Sequence, residues 1–274
     1  MRRNLLGVEP DPIASRRGIL YPARLPTFTR VPAPEPVRPW VRWFWIPEWD
    51  IEPGRTSRQQ VIAYPASNLV VQHDRTMISG PTTRASHRDL TGRGWAVGAL
   101  LHPAATVLCM NGPAALVDDE RRLEAPDLTS GVHEAMGSAD PQTRHAAAIA
   151  AFTDWLTRTL PEPSPEALLA NRMADLLDGD PTIRTVPQAA AALHVSARTL
   201  QRLAHTWVGL PPLAMIRRRR IQEAAETLRA QPETDLATLA ADLGYADQAH
   251  LANDMRTMLG VTATGYRRDL TDGR

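Results

Sequence analysis

Two short helices around a tight turn can be predicted twice in the carboxy-terminal third of this 274-residue chain. This repeat constrains the fold more than any other feature of the sequence. In the first copy, Thr185 and Gln188 form a capping-box pair that starts a helix. Ser196 then caps a second helix, which ends at Gly209. The pattern indicates a helix-turn-helix unit.

The second copy follows the same order further along the chain. Asp235 is placed to cap its first helix, and Asp247 its second. Gly244 falls at the turn between them, and Gly260 closes the unit. The sequence therefore predicts a duplicated helix-turn-helix.

Leu213–Ala230 joins the two units as one continuous helical pattern. Its predicted apolar side consists of Leu213, Ile216, Ile221, Ala224 and Leu228. Roughly 18 residues rise about 27 Å in a helix. Major-groove faces recur every ~34 Å along duplex DNA, so a rigid connector of this order can hold two helices in neighbouring grooves.

Residues 185–267 resemble the DNA-binding domain of AraC-type regulators, the family named after the arabinose-operon activator. The matching positions of the second unit are Leu239-Ala240, Leu243-Gly244-Tyr245, Asp247-Gln248, His250-Leu251, Met255-Arg256, Leu259-Gly260-Val261-Thr262 and Tyr266-Arg267. The chain departs from the family at Asn253, where a basic residue is usual, and at Ala263, where proline is usual. We therefore expect weaker DNA binding through the second unit.

The resemblance implies one reading helix in each unit. In the first, the implied DNA-binding residues are Arg198, Thr199, Gln201 and Arg202. In the second, they are Gln248, His250 and Asn253, with Ala249 and Ala252 between them. Arginine pairs in two-pronged fashion with guanine and glutamine with adenine, whereas alanine only touches a thymine methyl. We expect the first unit to dominate specificity.

The connecting helix carries a run of four arginines. The net charge of the chain is only +1, so any argument for a polyanion partner depends on where the charges lie. Phosphate contacts are one interpretation of Arg217, Arg218 and Arg220. The alternative is a solvated face, or salt bridges to Glu223 and Glu226.

The amino-terminal half has a different texture, rich in proline and in short β-type runs. The predicted strands are Val41–Ile46, Gln60–Ala63, Leu69–Gln72, Thr76–Ser79 and Trp95–Leu101. Pro65–Val71, Gly80–Thr83 and Gly98–Leu116 resemble the sensor domains of some AraC-type proteins, which implies a cupin-like barrel. The predicted fold class is α+β, with a β-rich cupin-like amino-terminal domain, a helical linker and an all-α carboxy-terminal domain.

A helical segment separates these two parts. Ile149, Phe152, Leu156 and Leu160 fall on one side of a predicted helix, and Glu166–Leu177 forms another. The predicted divisions are residues 1–135, 136–180 and 181–274. The side of the helix that holds Ile149, Phe152, Trp155 and Leu156 is a candidate dimerisation surface, with packing against the barrel as the alternative.

An effector pocket is the functional hypothesis for the amino-terminal domain. Its candidate residues are Trp43, Trp45, His73 and Trp95, since aromatic side chains can line a pocket for a flat or apolar molecule. Core packing is the alternative for the tryptophans. The histidines show no metal-ligand spacing, so we predict neither a metal nor another cofactor. Cys109 is interpreted as a small buried hydrophobe.

The sequence predicts a DNA-binding transcription regulator that responds to an effector and has no catalytic residues. Double-stranded DNA is its main expected partner, with a small molecule, a second copy of the chain and, for an activator, RNA polymerase as further candidates. With no apolar run long enough for a membrane and a single cysteine, we expect a cytoplasmic, nucleoid-associated protein. The alternatives are a cupin-like enzyme with a DNA-recruiting tail, and a protein-binding adaptor.

Overall fold

The computed structural model describes residues 27–61, 65–73 and 75–271. Its first part is built from antiparallel strands. They are β1 Thr27–Pro32, β2 Val41–Asp50, β3 Thr56–Val61, β4 Asn68–Gln72, β5 Arg75–Ser79, β6 Ser86–Thr91, β7 Arg93–Leu101 and β8 Glu120–Leu123. Six of them form one sheet in the order β1-β2-β7-β4-β5-β8, and β3 pairs with β6 in a separate sheet. Part of the predicted run Gln60–Ala63 lies outside the described residues.

Three strands were missed by the sequence patterns. β6 and β8 are mostly exposed and polar, so they carry no apolar alternation. β1 lies in the proline-rich opening of the chain, where the missing N–H of proline generally limits strands to sheet edges. β1 is indeed an edge strand, but Pro47 lies within β2, which is paired on both sides.

The rest of the described chain is helical. The helices are α1 Pro126–Met136, α2 Pro141–Thr159, α3 Pro165–Gly179, α4 Val186–Ala192, α5 Ala197–Trp207, α6 Pro212–Ala230, α7 Leu236–Asp242, α8 Gln248–Leu259 and α9 Ala263–Thr271. A β-rich part is therefore followed by helices only, which confirms the predicted α+β class.

Helices α1 and α2 cover one face of the large sheet. Phe152 of α2 meets Phe44 of β2 edge to face, with ring centroids 5.5 Å apart. Ile149, Phe152 and Leu156 are buried in this core, and Trp155 packs against it. The expectation that this side of α2 serves dimerisation is therefore corrected. The apolar side chains pack against the sheet of the same chain, which was the alternative interpretation.

Two further cores lie in the carboxy-terminal part. One joins α3, α4, α5 and the start of α6, and the other joins the rest of α6 with α7, α8 and α9. On α6 the predicted apolar side is buried except for Leu213, which is 49% exposed. Leu213 stands in the first turn, before the helix is enclosed by its neighbours.

Helix α3 belongs to both halves of the molecule. Its Met173 and Leu177 are fully buried in the first carboxy-terminal core. Its Asn171 accepts a hydrogen bond from the backbone N–H of Ala104 (2.9 Å) and donates one to the carbonyl of Pro39 (2.8 Å). The predicted division after residue 180 falls just behind this shared helix.

Candidate nucleic-acid interface

The first helix-turn-helix unit is held by its caps. Thr185 and Gln188 form the predicted capping box, in which the Thr185 N–H donates to Gln188 Oε1 at 3.0 Å. The N–H of Thr199 donates to Ser196 Oγ at 3.0 Å and starts α5. The turn between the helices places His194 in the left-handed region, with φ of 55°. Local hydrogen bonds thus set the unit where the sequence predicted it.

The outer side of α5 carries the predicted first reading residues. Arg198, Gln201 and Arg202 are exposed, and Thr199 is half-buried. Leu200 and Leu203 on the inner side are completely buried. Arg202 Nη1 donates to Glu166 Oε1 of α3 at 2.6 Å, a contact that sequence patterns could not reveal. A guanidinium on this surface is therefore already matched with an acid.

The second unit is capped by aspartates. The Asp235 carboxylate accepts from the N–H of Thr238, and the Asp247 carboxylate from the N–H of His250, both at 2.8 Å. Gly244 makes the turn at φ of 75° and Gly260 ends α8 in the left-handed conformation. The exposed side of α8 carries the predicted residues Gln248, His250 and Asn253.

The arginine run of α6 does not form an open cationic surface. Arg218 is 2% exposed, and burial lowers its pKa to about 10. Its predicted role in phosphate binding is therefore corrected, because a buried guanidinium cannot meet the backbone of DNA in this arrangement. Arg217 forms a two-pronged pair with Asp254, and Arg220 donates to the carbonyl of Arg184 at 2.9 Å. Arg219 pairs with Glu223 at 3.4 Å, as the alternative interpretation held.

The four predicted pocket residues lie on opposite faces of the large sheet. Trp43 and Trp45 share one face, where Trp45 Nε1 donates to Asn68 Oδ1 at 3.1 Å. Trp95 packs on the other face, against α1. There His133 of α1 lies between Trp95 and His73, with ring centroids 6.2 and 5.9 Å away. The expectation of one pocket lined by all four residues is therefore corrected. Successive side chains of a strand point to opposite faces of the sheet, and the face that Trp95 takes depends on how its strand is paired with its neighbours.

A cavity lies instead between the sheet and the first helix-turn-helix unit. Its enclosed space is about 20 Å³, room for roughly one water molecule. Arg42, Ser67 and His102 line it from the sheet side, and Trp207 and Met215 line it from α5 and α6. The indole Nε1 of Trp207 is buried and has no hydrogen-bond partner among the described residues.

Charged contacts close the wall of this cavity. Arg42 Nη2 contacts Asp178 Oδ2 of α3 at 2.8 Å, and His102 Nε2 contacts Asp175 Oδ1 at 3.3 Å.

The described residues hold no group of three or more histidine, cysteine or acidic side chains that could bind a metal ion. Within the same ranges, no helix combines the length and the apolar character needed to cross a membrane.

Comparison with known families identifies two segments. Residues 189–269, which hold both units, match a family described as a helix-turn-helix domain. Residues 29–122, which hold the sheet, match a family described as a domain of unknown function (DUF6597). No curated protein matches the chain by sequence.

Solved structures of low sequence identity resemble the chain over most of its length. An apo variant of ToxT from Vibrio cholerae is 10% identical, with 83% of this chain and 97% of that chain covered and a TM-score of 0.44. Wild-type ToxT from the same organism, bound to an unsaturated fatty acid, is 13% identical over 84% of this chain and 96% of that chain, with a TM-score of 0.43. The AraC-like transcriptional activator CuxR is 12% identical over 75% and 88%, with a TM-score of 0.24.

Proposed function

We propose that this chain, with a helix-turn-helix domain at its carboxy terminus, is an AraC-type DNA-binding transcription regulator that reads two adjacent major-groove segments of one duplex. Helix α5 is the first reading helix and α8 the second. The proposal is supported most by the outer side of α5, where Arg198, Gln201 and Arg202 are exposed on a helix whose inner side is fully buried.

The chemistry of α5 suits base edges. Arg198 and Arg202 are four residues apart, so they share a face with Gln201 between them. Two guanidinium groups suit guanine and one amide suits adenine, each pair contributing about 1–3 kcal/mol of discrimination. Thr199, half-buried at the start of α5, is proposed to contact a phosphate or a thymine methyl.

The second unit offers neutral groups on α8. Gln248 and Asn253 are suited to adenine, and His250 stands near the amino-terminal end of α8, where phosphates are favoured. The 19 residues of α6 rise about 28 Å, close to the separation of successive grooves. Arg217, whose side chain is 41% exposed, and Arg220 can add to the positive electrostatic potential at the edge of the DNA-binding surface.

Selection of native genomic fragments by the purified full chain tests this function. We expect a shared motif with two half-sites about one helical turn apart. The double variant Arg198→Ala/Arg202→Ala should lose preference for one half-site, whereas Arg158→Ala, which removes a cation from the exposed side of α2, should not. Fragments without a common motif, or a motif unchanged by the double variant, would contradict the proposal.

An effector site is proposed at the cavity beside Trp207. The buried indole N–H is a donor without a partner, and such groups cost roughly 1–3 kcal/mol when left unsatisfied. A small molecule with an apolar body and one acceptor group would satisfy this donor. Because the cavity holds only about 20 Å³, such a ligand must move α5 away from the sheet, which couples binding to the reading helix.

Ligand-induced stabilisation tests the effector site. Octanoate and benzoate supply an apolar body and an acceptor, and either should raise the unfolding temperature of the full chain. Trp207→Phe keeps an aromatic side chain, though a smaller one, and removes the N–H, so the rise should shrink. Equal stabilisation of wild type and variant, or none with either probe, would contradict the site.

Other partners follow from the role of a regulator. A homodimer would need a surface other than the buried stripe of α2, and light scattering would detect it. An activator would also contact RNA polymerase, and a DNA-binding regulator works at the nucleoid in the cytoplasm. We propose no catalytic step and no cofactor for this chain.

A further inference from the structure

We propose that the four consecutive arginines of α6 form a positioning hub, which fixes the spacing and rotation of the two reading helices instead of binding phosphate. The proposal rests on the proposed function, since it concerns how two reading helices are held for DNA. We use "arginine hub" for the residues Arg217, Arg218, Arg219 and Arg220.

Helical geometry sends the four side chains in four directions. Successive residues of a helix are about 100° apart, so four in a row point around the whole circumference. A helix lying on DNA would leave such a run exposed on at least one side. Here Arg218 and Arg219 are only 2% and 1% exposed, because other parts of the chain surround the middle of α6.

Arg217 holds the second reading helix. Its Nε donates to Asp254 Oδ2 at 3.0 Å, and its Nη2 donates to Asp254 Oδ1. Asp254 lies on α8, directly after the predicted reading residue Asn253, and is 1% exposed. A planar two-pronged pair is directional, so it resists rotation of α8 about its own axis. The hydrogen bonds that Arg217 donates to Asp254 also raise the pKa of Arg217, which keeps it charged.

Arg220 joins the two units to each other. Its Nη2 donates to the carbonyl of Arg184, at the entrance of the first unit, and its guanidinium lies 5.5 Å from the ring centroid of Tyr245 in the second. Arg184 in turn donates through Nη2 to the carbonyl of Asp242 at 2.7 Å. A side chain at Gly244 would come within 3.3 Å of Arg184 Cδ, so the turn of the second unit is fitted closely to this bridge.

The remaining two arginines anchor α6 on its other sides. Arg219 Nη2 donates to the carbonyl of Ile183 at 2.7 Å, beside the first carboxy-terminal core. Arg218 Nη2 donates to Thr82 Oγ1 at 3.1 Å, in the segment between β5 and β6, and the charge of Asp118 acts on it. The arginine hub therefore also connects the β-rich part with α6, the helix that joins the two helix-turn-helix units.

Energetics favour a positioning role over simple stabilisation. Burying guanidinium groups costs desolvation energy that their partners only partly return, so apolar residues in their place would often serve stability as well. Apolar residues, however, would not fix the orientation of one unit relative to the other. The hydrogen bonds and ion pairs of the hub are directional and reach both units.

Asp254→Asn in the full chain separates the hub from phosphate binding. The change keeps the shape of residue 254 but removes its charge and one of its two acceptor oxygens, so Arg217 is released from the two-pronged ion pair. If Arg217 holds α8 in position, the variant should bind a duplex with both half-sites about tenfold more weakly. The loss is partial because the two reading helices remain linked, and linkage alone still raises the affinity. As a phosphate contact, a released Arg217 would instead bind DNA more tightly and with a steeper salt dependence.

Duplexes with altered spacing supply the readout that a merely structural role would not change. Wild type should lose affinity when one or two base pairs are inserted between the half-sites. Asp254→Asn should lose that spacing preference, while its affinity for the isolated first half-site stays at the wild-type value. Glu233→Gln makes the same charge change on an exposed loop residue and should behave as wild type. If Asp254→Asn does not fold, Arg217→Gln at a partly exposed position should also lose the spacing preference, which the mere loss of a phosphate contact would leave in place.

A measurement without DNA keeps the two proposals distinguishable. Spin labels at His205→Cys on α5 and Thr257→Cys on α8, in a Cys109→Ala background, report the distance between the reading helices. Wild-type hub residues should give a narrow distribution, and Asp254→Asn a broad one. Equal widths, or a spacing preference that survives in the variant, would overturn the hub. Narrow wild-type distances in a protein that binds no duplex would overturn the proposed function and leave the hub standing.

Discussion

The two helix-turn-helix units share a backbone plan but differ in what completes their cores. The first unit packs on α3, whose Met173 and Leu177 are fully buried against it. The second unit is completed by α9, where Tyr266 is buried. Because α3 is also hydrogen-bonded to the sheet region, the first unit is connected to the amino-terminal part through its core.

Their reading surfaces and caps differ as well. The predicted reading positions of α5 include the exposed cations Arg198 and Arg202, whereas those of α8 include the neutral Gln248 and Asn253. The first unit is capped by hydroxyl side chains and the second by carboxylates. Duplication of a backbone unit therefore leaves room for separate roles, and we expect the first unit to read bases and respond to the sheet region, while the second is held in position from α6.

Removing α3 should produce the largest difference between the units. We expect a fragment of residues 161–274 to fold with both units protected, and a fragment of residues 181–274 to lose the first. Met173 and Leu177 are fully buried, and each such side chain contributes about 1.5–3 kcal/mol. Hydrogen exchange of α5 and α8 amides measures this directly.

The second unit is the internal control of that experiment. Its core, which includes Leu251 and Met255, contains no residue of α3, so α8 should stay protected in both fragments. Equal protection of α5 and α8 in the shorter fragment would show that the first unit needs no help from α3. That result would favour the division after residue 180.

Substitutions on the reading surfaces should have the next largest effects. Arg202→Ala should weaken operator binding by about 1–3 kcal/mol and relax the sequence preference of one half-site. Asn253→Ala should cost less, because α8 lacks charge at that position. Asn253→Arg should tighten binding and steepen the salt dependence by about one unit of slope. Titrations at several salt concentrations measure all three, and a greater loss from Asn253→Ala than from Arg202→Ala would reverse the comparison.

Local signals explain why the helical units could be predicted from sequence. A cap hydrogen bond joins residues three apart, as Thr185 and Gln188 do, so its partners are visible in the sequence. The buried side of a helix is visible from its period, which correctly placed Ile216, Ile221 and Leu228 of α6 inward. The family resemblance added the roles of the exposed residues, which stay predictions.

Long-range pairings explain what could not be predicted. Arg218 meets Thr82, which is 136 positions earlier in the chain, and nothing in the local sequence marks that contact. The contact between Glu166 and Arg202 is likewise not marked by anything in the local sequence. The faces of Trp43 and Trp95 depend on the register of β2 against β7, which the sequence of either strand alone does not contain.

Removal of the acid beside α5 should have a smaller effect, confined to the first unit. Arg202 and Glu166 are 60% and 42% exposed, and an exposed pair of this kind contributes about 0–1 kcal/mol. Glu166→Gln should therefore raise DNA affinity by up to about fivefold, because Arg202 no longer leaves a partner when it binds. Glu162→Gln, a nearby exposed acid outside this pair, is the matched control. An equal gain from both variants would indicate a general charge effect.

Acid should distinguish the caps of the two units, with the smallest effect. The backbone N–H of Thr238 stabilises the Asp235 carboxylate and holds its pKa below the usual range. The cap's contribution is therefore complete above the unfolded pKa of about 3.9 and is lost as the pH falls through the lower folded value. Thr185, which caps α4, does not titrate, so amides of α7 should lose protection before those of α4 below about pH 4. Asp235→Asn keeps a cap without the titration and should remove the difference, whereas parallel loss in wild type would show that the cap does not control the stability of α7.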